Sequence, residues 1–147
     1  MKLKFTASAV IAAALTLTAC ATSPTGRNQV LLYSETQLAQ MGDQAFTGMK
    51  EELKISNKAV QNSYVECVAN AITAQVPATV FNGQWEVVVF DDEQVNAFAL
   101  PGGKIGVYTG LLNVAENQHQ LAAVIGHEVG HVIAEHGNER MSQSTLI

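Results

Sequence analysis

Apolar residues recur at helical spacing from Ser34 onward. Leu38, Met41, Ala45, Phe46 and Met49 fall three or four positions apart, so they share one face of a helix. Ser34 is placed to cap the first turn and Gln37 to complete a capping box, which predicts a helix to about residue 53. A second stripe, Val60, Tyr64, Cys67, Val68, Ala71 and Ile72, follows Ser56 and stops before Pro77. It predicts a second helix capped by Ser56, with Cys67 an inert core thiol. The pattern then changes to that of strands. Asn82-Gly83 marks a turn, and residues 85–90 form a β-rich run. Residues 96–100 and 104–109 flank Pro101-Gly102-Gly103, which predicts a hairpin. Gly110 ends that strand, and residues 111–114 start a short helix. Finally Asn117 caps an apolar helix expected to reach about His136, with Gly137 as its C-cap. The expected fold class is α+β: helices packed on a small β-sheet, the last helix beneath it. The chain has no internal repeat and no low-complexity segment.

The first nineteen residues read as a targeting segment rather than as fold. Lys2 and Lys4 form a basic start, residues 5–17 carry no charge, and Thr18-Ala19 supply the small residues of a cleavage site. That apolar run falls short of the about 20 residues a membrane-spanning helix needs. Leu17-Thr18-Ala19-Cys20 resembles the lipobox of bacterial lipoproteins, in which the cysteine is lipidated and becomes the new N-terminus. An ordinary signal peptide followed by a chance cysteine is the other reading. Ala21 stands where an aspartate resembles an inner-membrane retention signal, which favours the outer membrane, facing the periplasm. The expected organisation is a lipoprotein signal peptide over 1–19, a turn-rich tether over 20–33 containing Ser23-Pro24-Thr25-Gly26, and a folded portion over 34–147.

Charge narrows the partners. The formal net charge is −5, from 8 basic and 13 acidic residues. Removing Lys2 and Lys4 with the leader leaves 6 basic against 13 acidic, or −7. Nucleic acid and anionic lipid both call for a basic face, so neither is expected as a partner. Membrane attachment is expected through the acyl chains on Cys20. With Cys20 lipidated, Cys67 has no second cysteine to pair with, and no disulfide framework is expected.

The chemistry is concentrated in His127-Glu128-Val129-Gly130-His131, an H-E-x-x-H pattern within the last predicted helix. Positions i and i+4 stack on one helix face, so both imidazoles can meet one ion. Zinc takes such nitrogens at about 2.0–2.1 Å and, in a catalytic site, keeps a position open for water. The metal lowers the pKa of that water to about 7, which lets the adjacent Glu128 deprotonate it as general base. A surface helix carrying these residues by chance is the bland alternative. Against it, the motif follows the apolar run Leu121-Ala122-Ala123-Val124-Ile125-Gly126, which predicts a largely buried helix whose polar groups need partners. Gly126 and Gly130 are also poor helix formers, expected where a strand or the metal site approaches the backbone closely. In the acidic run Asp91-Asp92-Glu93, a solvated turn is preferred over a second metal site.

Two stretches together resemble a known family: Asn96-Ala97-Phe98-Ala99-Leu100-Pro101-Gly102-Gly103-Lys104-Ile105-Gly106-Val107-Tyr108-Thr109-Gly110-Leu111-Leu112, and Gln120 through the histidine motif to Val132. They are similar to metallopeptidase family forty-eight, of the HtpX/LoiP/BepA type. The lipobox adds a resemblance to its lipoprotein branch. The resemblance implies a zincin-like gluzincin domain with one zinc, His127 and His131 as ligands and Glu128 as base. It implies that the strand at Asn96, Ala97, Phe98 and Ala99 is the edge on which substrate backbone pairs. The family's third ligand is a glutamate on a later helix, for which the sequence to Ile147 offers no match. Residues 34–147 are therefore expected to be the N-terminal portion of the domain, truncated after the motif helix.

Nearby residues do not replace that ligand. Glu135 and His127 start about 12 Å apart along a helix, too far to converge with His131 on one tetrahedral ion. His136 falls on nearly the opposite side of the helix from His127, with no intervening glycine to bend the chain. His136 is read as a polar residue near the helix end and His119 as an exposed residue in the first turn. The expected function is a zinc metalloendopeptidase of the outer membrane, lipid-anchored on its periplasmic face, acting on misfolded or misassembled envelope polypeptides. The alternative is a catalytically inactive periplasmic binding lipoprotein that keeps the peptide-pairing edge strand.

Overall fold

Three short strands share a register that sends alternate residues to opposite faces, and this alternation organises residues 35–134. The computed structural model describes residues 20–147. The leader expected over 1–19 lies outside them. Strands β3 (Glu86–Phe90), β4 (Ala97–Leu100) and β5 (Lys104–Tyr108) form a sheet of order β3-β5-β4, with β3 parallel and β4 antiparallel to β5. The β4–β5 hairpin turns through Gly102 and Gly103, at φ 85° and 72°, a backbone region closed to most side chains. This is the hairpin that the Pro-Gly-Gly chemistry predicts.

Val87, Val89, Ala97, Ala99, Ile105 and Val107 face one side of the sheet. There they pack against Val65, Val68 and Ala69 of helix α2 (Ala59–Thr73) and Leu121, Ile125 and Val129 of helix α4 (Gln118–Ile133). Val88, Phe90, Phe98, Leu100 and Tyr108 face the other side, where Phe46 and Met49 of helix α1 (Glu35–Glu52) cover them. The helices thus lie on both faces of the sheet. Leucine- and valine-rich packing builds the α2/α4 side, and an aromatic cluster builds the α1 side. Phe46 meets Phe90 and Phe98 edge-on, with ring centroids 6.2 and 6.1 Å apart. A short helix α3 (Thr109–Val114) follows β5 directly, so Thr109 and Gly110 open a helix where the sequence reading extended the strand.

Two helix faces are set differently from the sequence reading. In α2 the buried side is Val65, Val68 and Ala69, with Ile72 packed against it. Val68 and Ile72 of the expected stripe thus do face the core, whereas Val60, Tyr64 and Cys67 are exposed. Cys67 is therefore a surface thiol and not a core one. The helix begins after Lys58, which makes no side-chain cap, and Ser56 instead accepts from the Lys58 amide at 3.3 Å. In α1, Gly42 is buried and Met41 exposed, because the Pro101 carbonyl comes so close that a Cβ at Gly42 would lie 2.1 Å from it.

The remaining described residues form a second unit of 20–34 and 135–147. Strands β1 (Cys20–Thr22) and β2 (Asn28–Val30) pair antiparallel around a turn at Gly26, within the stretch expected as a tether. Helix α5 (His136–Leu146) packs on β2. The Asn138 amide donates to the Tyr33 carbonyl at 2.9 Å, and the Ser142 hydroxyl accepts from the Leu32 amide at 2.8 Å. The helix carrying the histidine motif ends at Ile133, not near His136, and Gly137 lies inside α5 rather than capping α4. Glu135 makes the break, at φ 54°. No helix among the described residues is long and apolar enough to cross a membrane.

Candidate metal centre

Helix α4 presents the motif from a firmly seated frame. Asn117 caps it as the sequence predicts, its side-chain oxygen accepting from the amides of His119 and Gln120 at 3.0 and 3.1 Å. Leu121, Ile125 and Val129, one turn apart, are at most 2 % exposed and lock the helix onto the sheet. Residues two positions away are rotated by about 200° at 100° per residue. That rotation turns His127 and His131 away from the buried stripe. His127 is exposed, and Glu128 and His131 are half-buried. The motif is thus more open than the apolar run before it suggests. Gly126 and Gly130 do not mark a close approach: a Cβ at Gly126 would meet only Ile72 at 3.9 Å, and one at Gly130 nothing within 4 Å.

The two imidazoles converge. Their Nε2 atoms are 3.0 Å apart, and the rings meet edge-on with centroids 4.5 Å apart. Two nitrogens bound to one tetrahedral zinc at about 2.05 Å would stand about 3.3 Å apart. A small separation of the rings would therefore admit the ion, and the donor chemistry suits zinc. The carboxylate of Glu128 completes the group, the ligand atoms of all three residues lying within 4.8 Å of one another. Among the described residues this is the group of metal-ligating side chains that comes together, and Glu135, His136 and His119 are not in it. Glu139 is engaged elsewhere, its carboxylate held by Arg27 and by Gln29, the latter at 3.2 Å.

Beside this helix lies an open sheet edge. Helix α4 packs on β4, and β4 pairs with β5 alone among the described strands. Of the residues expected to meet substrate, Ala97, Phe98 and Ala99 lie in β4, while Asn96 precedes it and its carbonyl accepts from the Tyr108 amide at 3.1 Å. The Ala97 and Phe98 side chains belong to the two cores, so these residues can offer a partner only backbone groups.

Sequence reasoning missed what holds the start of that edge. Thr109 donates its hydroxyl to the Asp92 carbonyl at 2.9 Å and accepts from the Asp92 amide at 3.0 Å. The Gly110 amide donates to the same carbonyl at 2.8 Å, and a Cβ there would lie 2.1 Å from the Glu93 carbonyl oxygen. Together they fix the loop leading into β4. Asp91 pairs with Lys54 at 2.6 Å, which lowers its pKa through that hydrogen bond first. A Thr-Gly pair after a strand carries no local sign of this role.

The site also matches known proteins. Residues 56–147 match the model of peptidase family M48, and the chain belongs to that family. It is 38 % identical over 114 residues to the mitochondrial metalloendopeptidase OMA1 of Arabidopsis thaliana, covering 75 % of this chain and 23 % of that protein. Over 134 residues it is 30 % identical to the mitochondrial metalloendopeptidase OMA1 of Bos taurus, covering 84 % of this chain and 24 % of the relative. A beta-barrel assembly-enhancing protease of Escherichia coli matches at 25 % identity over 100 residues, covering 68 % of this chain and 20 % of that protein. The chain thus spans about a quarter or less of the length of these relatives.

Proposed function

We propose that the chain carries a zinc-binding His-Glu-His centre and serves as a zinc metalloendopeptidase on polypeptides of the bacterial envelope. The observation that carries this reading is the 3.0 Å approach of the His127 and His131 Nε2 atoms beside Glu128. Both histidines would hold zinc through Nε2. Zinc, when bound, supplies Lewis acidity and lowers the pKa of a water to about 7. Glu128 takes the proton of the attacking water and delivers it to the departing amine nitrogen. The unpaired edge of β4 aligns the substrate as an added strand, so recognition is by backbone and tolerant of side chains. That tolerance suits damaged or misassembled proteins as substrates.

For the address, the lipobox at Leu17-Thr18-Ala19-Cys20 supports a lipid anchor on the periplasmic face of the outer membrane. The Escherichia coli relative, a beta-barrel assembly-enhancing protease by name, supports an envelope role. The OMA1 relatives share the peptidase domain, and their names place them in mitochondria. A second reading, a non-catalytic peptide-binding lipoprotein, draws on the same edge strand and on a metal group with two histidines and one glutamate.

The test is Glu128→Gln, assayed for zinc content and for chelator-sensitive cleavage of a casein-type substrate. The amide cannot accept a proton, so zinc should stay and cleavage should fall by about 10²–10⁴-fold. Cleavage that survives the substitution overturns the mechanism. Peptide retention by the unaltered chain with zinc bound in a one-to-one ratio, yet without any cleavage, selects the second reading.

A further inference from the structure

Both arginines of this acidic chain line the same cavity. Arg27, from the β1–β2 turn, and His136, Glu139, Arg140 and Gln143, from α5, line a shallow, solvent-open hollow of about 370 Å³. Glu139 does not neutralise the cavity. Its carboxylate takes both Nη groups of Arg27 and a further hydrogen bond from Gln29 at 3.2 Å, and it is nearly buried under them. Arg140 is exposed, and no ion pair or side-chain hydrogen bond of it is seen among the described residues. The cavity therefore holds two guanidinium groups against one committed carboxylate. On a chain of net charge −5, such a concentration of cationic groups is not the average of its surface.

We propose that this cavity binds a phosphate group. Guanidinium groups present planar, paired N–H donors that match oxyanions in bidentate fashion. A carboxylate ligand would offer two oxygens to two guanidinium forks, whereas a phosphate offers three or more, enough to meet both in paired fashion. Arg27 keeps N–H donors beyond those given to Glu139, so the ion pair pre-orients its guanidinium rather than consuming it. A phosphomonoester in solution and a phospholipid headgroup share this chemistry.

The test uses the whole chain with Cys20→Ser, so that no acyl chain contributes to membrane binding. Titration with inorganic phosphate, followed by amide chemical shifts, should move residues 136–143 saturably. Arg140→Gln should weaken binding by about tenfold, the loss of one charge-assisted contact. Because Arg140 is exposed, its replacement should leave the amide spectrum dispersed; Arg27→Gln would also release the Glu139 carboxylate beside the bound anion, so its loss of binding should be larger still. Saturable binding of inorganic phosphate without preference for phosphatidylglycerol over phosphatidylcholine vesicles assigns a soluble ligand. A preference for phosphatidylglycerol that Arg140→Gln removes and inorganic phosphate competes assigns a headgroup. Absence of saturable shifts, or shifts equal in size and affinity in Arg140→Gln, overturns the site.

Discussion

The ring of Phe98 lies directly over Gly106 on the neighbouring strand, so close that a Cβ there would stand 2.2 Å from the ring's Cζ. The two residues are register partners in the β4–β5 pair. The missing side chain lets the ring lie flat among Phe46, Phe90 and Tyr108, at centroid separations of about 6 Å. Gly106→Ala should displace Phe98 and lower stability by about 1–3 kcal/mol, the usual cost of overpacking a core. Thermal or urea unfolding of the variant checks this. An unchanged midpoint would show that the ring can move aside at no cost.

Metal binding should depend on both imidazoles. Loss of a partner that only orients a ligand typically costs about 10–100-fold in metal affinity, and losing the ligand itself should cost more. His127→Ala and His131→Ala should each lose zinc to a competing chelator at least that readily, while the fold survives because both side chains lie away from the buried stripe of α4. Zinc per chain after dialysis, read beside a circular-dichroism melt, checks both expectations. Equal zinc in His131→Ala and the unaltered chain would remove His131 from the ligand set.

Local chemistry made the hairpin, the Asn117 cap and the histidine pair readable, because each depends on residues a few positions apart. Gly102 and Gly103 need a positive φ, and His127 and His131 need one helical turn. What escaped depends on distant partners. In α2 two apolar stripes lie about 100° apart, Val60-Tyr64-Cys67 and Val65-Val68-Ala69, and only the sheet decides which is buried. The break after α4 was hidden because Glu135 adopts a left-handed conformation, at a cost of about 1–2 kcal/mol that glycine would avoid. Helix α5 lacked an apolar stripe to announce it, since its buried positions Asn138, Glu139 and Ser142 are polar. Their partners Tyr33, Arg27 and Leu32 are more than a hundred positions away in the chain. The half-exposed salt links of Glu86 with Lys50 at 2.5 Å and Lys104 at 2.9 Å are likewise unreadable from spacing.

Anchoring should hinge on Cys20. The residue is exposed at the start of β1, so Cys20→Ser makes little demand on the fold. The variant should incorporate no labelled fatty acid and should fractionate as soluble periplasmic protein or as unprocessed precursor, rather than with outer membrane. Labelled fatty acid on Cys20→Ser, together with unchanged outer-membrane fractionation, would rule out the lipobox reading.

The Arg27–Glu139 pair should give the chain a defined acid sensitivity. Hydrogen bonding from Arg27 is the main cause that holds the Glu139 carboxyl down to about 2, with Gln29 and the Arg27 charge assisting against burial. An unfolded chain would titrate this group near the ordinary glutamate value of about 4.3. A carboxyl with a lowered folded pKa contributes stability above its unfolded pKa and loses that contribution as pH falls through the folded value. The contribution is therefore complete at neutral pH and declines from about pH 5 toward pH 2. Glu86 and Asp91 are also shifted downward, each chiefly by a lysine hydrogen bond, so a melt of the unaltered chain alone would mix three groups. Comparison with Glu139→Gln isolates one. The difference in melting temperature between the two proteins should be largest at pH 6–7 and should shrink steadily below pH 5 as Glu139 takes up its proton. A difference that stays constant down to pH 2.5 would mean that Arg27 does not stabilise the charged form of Glu139.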